Sequence, residues 1–436
     1  MTPKTTKFVV AVKRLRYVRG KLVNRTEFRN AKELTACRCS QRGRGLRPYL
    51  PRSLSNLNLR QGISAMEPSE SVAHFSWSLY QTQTTDNVVF SPVSIVLALS
   101  MVYLGSEGNT KQQMKMVMFD DGENGNFEKT AHLLMSAVGS MNSEFAKIVW
   151  HVANRLYVAD SYDLLDSYTA SLKSMLSSEI EKLNFTEKAM ACKQINSWVS
   201  ERTDGKINRI VDDLDERTRL IIVNAIYFKG AWDTVFRADK TVDDNFFVSE
   251  GHAVLISMMK SHGTDYFYHE NSECQVLGLP YTSTNLRMYI VLPKLRFGLH
   301  QLEKTLSGKK LLELFKEARM EDVRVQMPKF KLEKEMHLEN ALKSLGMTDV
   351  FDQFKANLSS ITHTERLYVS EALHKTFVDV NEEGTEAAGV TVVKVIPMSA
   401  VIAPRTYTFK ADHPFIFAIV DMDSKLILFL GRFSGN

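Results

Sequence analysis

Apolar residues recur along this chain at two periods. Over 71–81, 126–140, 164–176, 188–203 and 300–318 they fall three and four apart, the spacing that gathers one face of a helix. The run PVSIVLALSMVYLG, Pro92 to Gly105, is apolar nearly all round and predicts a helix buried on every side. Ser91 and Pro92 make a good start for it, a capping hydroxyl followed by a ring whose φ is preset for the first turn. Strands are predicted over 149–158, 220–228, 288–292, 323–332 and 373–380, where β-branched and aromatic residues concentrate. The tail HPFIFAIVDMDSKLILFLGRF reads as a hairpin turning at Ser424 and Lys425. Helices dominate before Leu220 and strands after it, the mixed order of an α/β fold.

One stretch keeps the strand period where a surface loop is expected. After the strand ending near Val380 the sequence runs NEEGTEAAGVTVVKVIPMSAVIAP, some twenty apolar and small residues with few breaks. Long surface loops are polar, because their backbone must be solvated and apolar side chains gain nothing there. From Thr385 the odd positions hold Thr385, Ala387, Gly389, Thr391, Val393 and Val395, while Glu386 and Lys394 take the even phase. A strand would turn the first set to one face and both charges to water. A helix is disfavoured by Val390, Val392, Val393 and Val395, which are β-branched. The segment therefore reads as bait for a protease at its tip, Pro397-Met398-Ser399-Ala400, and as a strand in waiting behind it.

The hinge Glu382-Glu383-Gly384-Thr385-Glu386-Ala387-Ala388-Gly389, the segment NAIYFKGAW at Asn224 to Trp232, and the terminal hairpin resemble those of the serpins, inhibitors that trap a protease by inserting a cleaved loop into a sheet. The likeness covers about residues 68–436. It implies a mixed α/β fold with a large central sheet, a smaller β component, about eight or nine helices and an exposed reactive-centre loop near 381–404. By the family's loop length the scissile bond is Met398–Ser399, and the implied partner is a serine protease held as a covalent acyl complex. Elastase-like or chymotrypsin-like enzymes fit Met398, since a deep neutral pocket accepts an unbranched apolar side chain. The resemblance also implies a sheet-opening network of Ser91, Ser94, Asn224 and His374, with Lys329, Glu382 and Trp232 where the loop enters the sheet. Two other functions fit the same fold: a cross-class inhibitor of cysteine proteases, and a non-inhibitory carrier or chaperone. The latter usually has bulky or charged residues in the inward phase of the hinge, and here that phase is clean.

Composition narrows the remaining choices. The net charge of +5 is carried by residues 1–65, which hold sixteen Lys and Arg against two Glu and leave the rest near −9. The two parts therefore read as a basic leader or disordered extension, 1–65, and a folded domain, 66–436. An acidic body makes no electrostatic case for nucleic acid. No apolar run reaches the ~20 residues of a membrane helix, so neither partner class is expected, and a monomer is. The run Phe8 to Val12 is too short for a secretory signal, which favours the cytoplasm, with the extracellular space as the family-based alternative. Cys37, Cys39, Cys192 and Cys274 form no disulfide framework or zinc motif, and Asn184 and Asn357 head glycosylation sequons.

A catalytic function is not expected. The chain has no G-x-S-x-G elbow, no H-E-x-x-H and no phosphate-binding glycine loop, so no enzyme activity, metal or cofactor is predicted. Ser399 is the residue after the cleaved bond rather than a nucleophile. His374 shares a strand face with Thr376, Val378 and Val380, and a single histidine there is first a core residue needing hydrogen-bond partners.

Overall fold

The computed structural model describes residues 66–84, 87–119, 127–141, 148–383 and 405–435, with two short pieces at 17–18 and 21–22. The chain divides into two compact units, Met1–Gly62 and Ile63–Asn436. In the first, β1 (Tyr17–Val18) pairs antiparallel with β2 (Lys21–Leu22). The second carries everything below.

Its elements follow the expected order with informative differences. Helix α1 spans Pro68–Gln81, and β3 (Val88–Phe90) leads into α2 (Pro92–Gly105). Ser91 caps α2 by accepting from the Ser94 N–H at 3.3 Å, and every residue of that helix except Leu104 is buried. Then come α3 (Gly108–Phe119), α4 (Phe127–Met141), β4 (Ile148–Ala159), α5 (Asp166–Leu176), β5 (Ile180–Leu183), α6 (Lys188–Arg202) and β6 (Leu220–Gly230). A run of strands follows: β7 (Val242–Ser249), β8 (His252–Glu270), β9 (Cys274–Pro280) and β10 (Leu286–Pro293).

The helix expected over 300–318 is two, α7 (Leu299–Thr305) and α8 (Gly308–Glu317). Ser307 divides them: its backbone is extended and its hydroxyl accepts from the Lys310 N–H at 3.2 Å, which starts a second helix. The strand expected over 323–332 is likewise two, β11 (Arg319–Pro328) and β12 (Phe330–His337), in different sheets. Pro328 cannot donate to a ladder, and the chain changes sheet there. After α9 (Leu338–Ser344) come β13 (Glu371–Val380), β14 (Thr406–Lys410), β15 (Phe415–Asp421) and β16 (Leu426–Phe433).

Two sheets organise these strands. One has nine strands in the order β14-β11-β8-β9-β10-β15-β16-β3, with β7 also paired to β8, and the other has five, β12-β13-β6-β4-β5. The all-round apolar sequence of α2 is explained by its place, since it packs against β16 of the first sheet and against β4 and β6 of the second. In the five-stranded sheet β12–β13 and β6–β4 are antiparallel. Its central pair, β13 and β6, is parallel, in register from Glu371↔Ile221 to Val378↔Phe228. No helix among the described residues is long and apolar enough to cross a membrane.

Candidate functional site

The parallel pair carries a buried polar network at its middle. His374 of β13 lies opposite Asn224 of β6, and both are fully buried. The Ser91 N–H donates to His374 Nε2 at 3.1 Å. A backbone N–H can only donate, so the imidazole proton sits on Nδ1, where it meets Asn224 Oδ1. Thr376 shares the His374 face and its hydroxyl reaches Nε2. Asn224 Nδ2 then donates to the Ser94 carbonyl at 3.0 Å, to Ser94 Oγ and to Asn154 Oδ1. Ser94 Oγ donates to the same Asn154 oxygen at 3.2 Å. Burial pushes the His374 pKa down to about 3, so the ring stays neutral and the tautomer holds.

The structure thus brings Ser91, Ser94, Asn224 and His374 into one network joining α2, β6 and β13. Sequence reasoning missed Asn154 as a member. Its signal was present: a single amide inside the apolar strand Ile148–Ala159, in register with Asn224, must find a partner when the sheet is covered. Because the network bridges β13 and β6, separating those strands breaks it at the His374–Asn224 bond.

A second cluster sits where β13 ends. Lys329, in the joint between β11 and β12, places Nζ 2.7 Å from Glu382 Oε2. Thr241 Oγ1 donates to the other carboxylate oxygen at 2.9 Å, and the Phe236 N–H donates to the Glu382 carbonyl at 3.1 Å. Burial of Glu382 opposes its charge, yet the hydrogen bonds from Lys329, backbone and Thr241 hold its carboxyl below the usual range. Trp232 completes the cluster: its indole donates to the Asn381 carbonyl at 2.8 Å and stacks on Tyr281 with ring centres 4.6 Å apart. Thr241 and Phe236 are distant in sequence and carried no motif. The remaining predicted site residues, Gly384, Thr385, Glu386, Ala387, Ala388, Gly389, Met398 and Ser399, lie outside the described residues.

Residues 70–435 match the family model for Serpin (serine protease inhibitor). The chain is a serpin. Leukocyte elastase inhibitor from Xenopus tropicalis is 38% identical to it over 383 residues, covering 84% of this chain and 98% of that protein. Serpin B6 from Pongo abelii is also 38% identical, over 379 residues, with the same coverage of each. Uncleaved ovalbumin superposes with a TM-score of 0.75 at 28% identity, covering 85% of this serpin and 100% of that chain. The thermophilic serpin tengpin in its native state gives 0.75 at 29% identity, covering 84% and 94%. The expected fold class, the mixed α/β fold of this family, is the one observed.

Proposed function

We propose that this serpin is a suicide inhibitor of serine proteases that works by inserting its cleaved loop between β13 and β6. The observation that carries the reading is the parallel pairing of those two strands, with the loop following directly from the end of β13. A chain that turns back along β13 runs antiparallel to it and also to β6. Insertion would therefore replace one parallel ladder by two antiparallel ones, each somewhat more stable per residue, and add a strand's worth of buried side chains. The hinge phase of Thr385, Ala387 and Gly389 offers small or uncharged side chains for the buried face. The His374–Asn224 bond and the Glu382–Lys329 contact would resist separation until cleavage frees one end of the loop.

On this reading the protease attacks the Met398 carbonyl, the acyl-enzyme forms, and insertion carries the enzyme away before water can release it. Met398 suits elastase-like and chymotrypsin-like pockets, and two relatives from Xenopus that bear the name leukocyte elastase inhibitor support that choice. No residue of the serpin acts as a catalyst; the chemistry belongs to the target.

The test is incubation with elastase-like, chymotrypsin-like, trypsin-like and papain-like enzymes, followed by denaturing gels. Complexes that survive denaturation with the first two, and a released fragment beginning at Ser399, are expected. A fragment beginning elsewhere would refute Met398–Ser399 as the reactive bond. Complexes with papain-like enzymes alone would make it a cysteine-protease inhibitor, and cleavage without any complex would leave the carrier or chaperone reading. Met398→Arg should move inhibition toward trypsin-like enzymes, whose pockets need a cation.

A further inference from the structure

The link Ala411-Asp412-His413-Pro414 joins β14 to β15, and its two titratable side chains are almost fully buried, His413 at 9% exposure and Asp412 at 10%. His413 Nδ1 lies 2.8 Å from Asp412 Oδ1, and Nε2 lies 2.8 Å from the carbonyl oxygen of Pro293, the last residue of β10. A carbonyl oxygen only accepts, so Nε2 carries a proton. Burial opposes the Asp412 charge, yet the hydrogen bond from His413 and the charges of Lys410 and Arg296 hold its carboxyl below the usual range. Its Oδ1 therefore only accepts as well, and Nδ1 carries a second proton. His413 is an imidazolium in this arrangement, the reverse of His374, whose Nε2 accepts from a backbone N–H.

Several elements meet at this pair. Asp412 Oδ2 has Lys410 of β14 at 3.7 Å and Arg296, from the loop after β10, at 3.8 Å. The Asp412 carbonyl accepts from the Phe247 N–H of β7 at 2.8 Å, and the Arg296 guanidinium covers the Phe247 ring, 3.9 Å from its centre. Lys410 also reaches Asp244 of β7 at 3.0 Å, to which Gln326 of β11 donates at 2.8 Å. On β9, Cys274 stands in register with Pro293; burial pushes its thiol up to about 11, so it brings no charge. Without one of its protons the His413 ring would turn a lone pair on the Asp412 carboxylate or on the Pro293 carbonyl. A buried carboxylate would then keep only two half-exposed cations at longer range.

Strand β14 depends on this anchor. It is five residues long, lies at the end of its sheet and has β11 as its single partner among the described strands, in a parallel ladder, the less stable kind per residue. Residues 399–404 connect it to the proposed reactive bond. We propose that the charged His413 ring, acting through Asp412, positions β14 and so fixes the C-terminal stem of the loop for capture of a protease, and that loss of its proton frees the stem. The part about capture rests on the inhibitory reading above. A stem ordered beforehand spares the entropy of ordering it when the protease docks. The clamp is closed at acid pH and opens as pH rises.

Ring-nitrogen NMR of the histidine-labelled full-length chain tests the charge, with the His413 signals assigned by their absence from His413→Gln. At pH 6 both nitrogens should show the imidazolium shift; one protonated and one bare nitrogen would overturn the proposal. Hydrogen exchange over residues 405–411, expressed as protection so that the intrinsic pH dependence drops out, should lose at least about tenfold between pH 6 and pH 9 in wild type. His413→Gln can still donate toward Pro293 but has no charge, and Asp412→Asn keeps the shape and the Phe247 contact but has no carboxylate. In both, protection should be low and independent of pH. The wild-type slope persisting in both would mean that His413 only fills space, and overturns the proposal; if neither variant folds, the ring shifts and the wild-type slope decide it. Capture is read as the ratio of complex-formation rates, wild type over His413→Gln, with one elastase-like enzyme, whose own pH dependence cancels. The ratio should be highest at pH 6 and approach one by pH 9. A constant ratio beside a pH-dependent protection refutes the role in capture. A protein that forms no complexes at any pH refutes inhibition and leaves the ring shifts and the exchange to decide the clamp on their own.

Discussion

His374 is neutral throughout the physiological range because burial lowers its pKa to about 3, while in the unfolded chain the same ring titrates near 6.5. Between those values the unfolded state binds a proton that the folded state refuses, so stability falls as pH falls through this window. His151, half-buried and also lowered by burial, adds with the same sign. Denaturant titrations of the intact protein at pH 7, 6 and 5 should therefore show decreasing stability. His374→Gln should be less stable at pH 7, with a shallower slope below it; an unchanged slope would show that His374 is not the group responsible. Glu382 runs the other way: its lowered pKa contributes stability above about 4.5 that is lost as pH falls further. Lys329 is half-exposed, so its ion pair is worth about 1 kcal/mol or less, and Glu382→Gln should barely change a denaturation curve. Its expected effect is on insertion, seen as faster loss of inhibitory activity on incubation at 37 °C. Thr385→Arg tests the hinge phase: it should fold and be cleaved normally yet form few complexes, because insertion would bury an unpaired charge. Glu386→Arg, on the other phase, should still inhibit.

Two contacts between elements fix α1, and each predicts a different kind of damage. Gly308 opens α8 against α1 so closely that a Cβ there would lie 2.1 Å from the Ala73 carbonyl oxygen. Backbone cannot yield as a flexible side chain does, and Gly308→Ala should cost about 1–3 kcal/mol in a urea titration. At the other end, Tyr80 of α1 donates to Glu303 of α7 at 2.5 Å, and Arg432 of β16 donates to the same oxygen at 2.7 Å. These groups are nearly buried, so Glu303→Gln replaces the carboxylate that accepts both hydrogen bonds by a neutral, weaker acceptor and should destabilise by about 1–3 kcal/mol. Both costs should appear equally in intact and cleaved protein, since neither contact lies in the five-stranded sheet.

Cleavage of the loop is a whole-molecule event on the insertion reading. Nicking after Met398 should raise the melting temperature by about 10 °C or more, as a strand is added to the centre of the five-stranded sheet. Nicked Thr385→Arg should gain less. A melting temperature that does not move on cleavage would refute insertion. Residues 1–65 carry the basic charge and precede the family match at residue 70, and we propose that they are dispensable for this mechanism. A chain from Met66 to Asn436 should fold and inhibit at the same rate as the full chain, with rates compared at equal ionic strength because the removed charge acts at long range.

Periodicity determined the all-round burial of α2, the face of β13 that holds His374, and the terminal hairpin, because each depends on the spacing of apolar residues along one element. The same local logic leads to the expected loop and its hinge phase, whose residues 384–404 lie outside the described residues. It placed a single helix over 300–318 and a single strand over 323–332, because a cap at Ser307 and a change of sheet at Pro328 interrupt elements without interrupting hydrophobicity. Only the tertiary structure decided that β13 and β6 are parallel neighbours, that Asn154 joins His374 through Asn224, and that Thr241 and Phe236 meet Glu382. Those are contacts between residues far apart in the chain, and a hydrogen bond of that kind leaves no period in the sequence: each partner shows only as a polar side chain whose mate must be found in space.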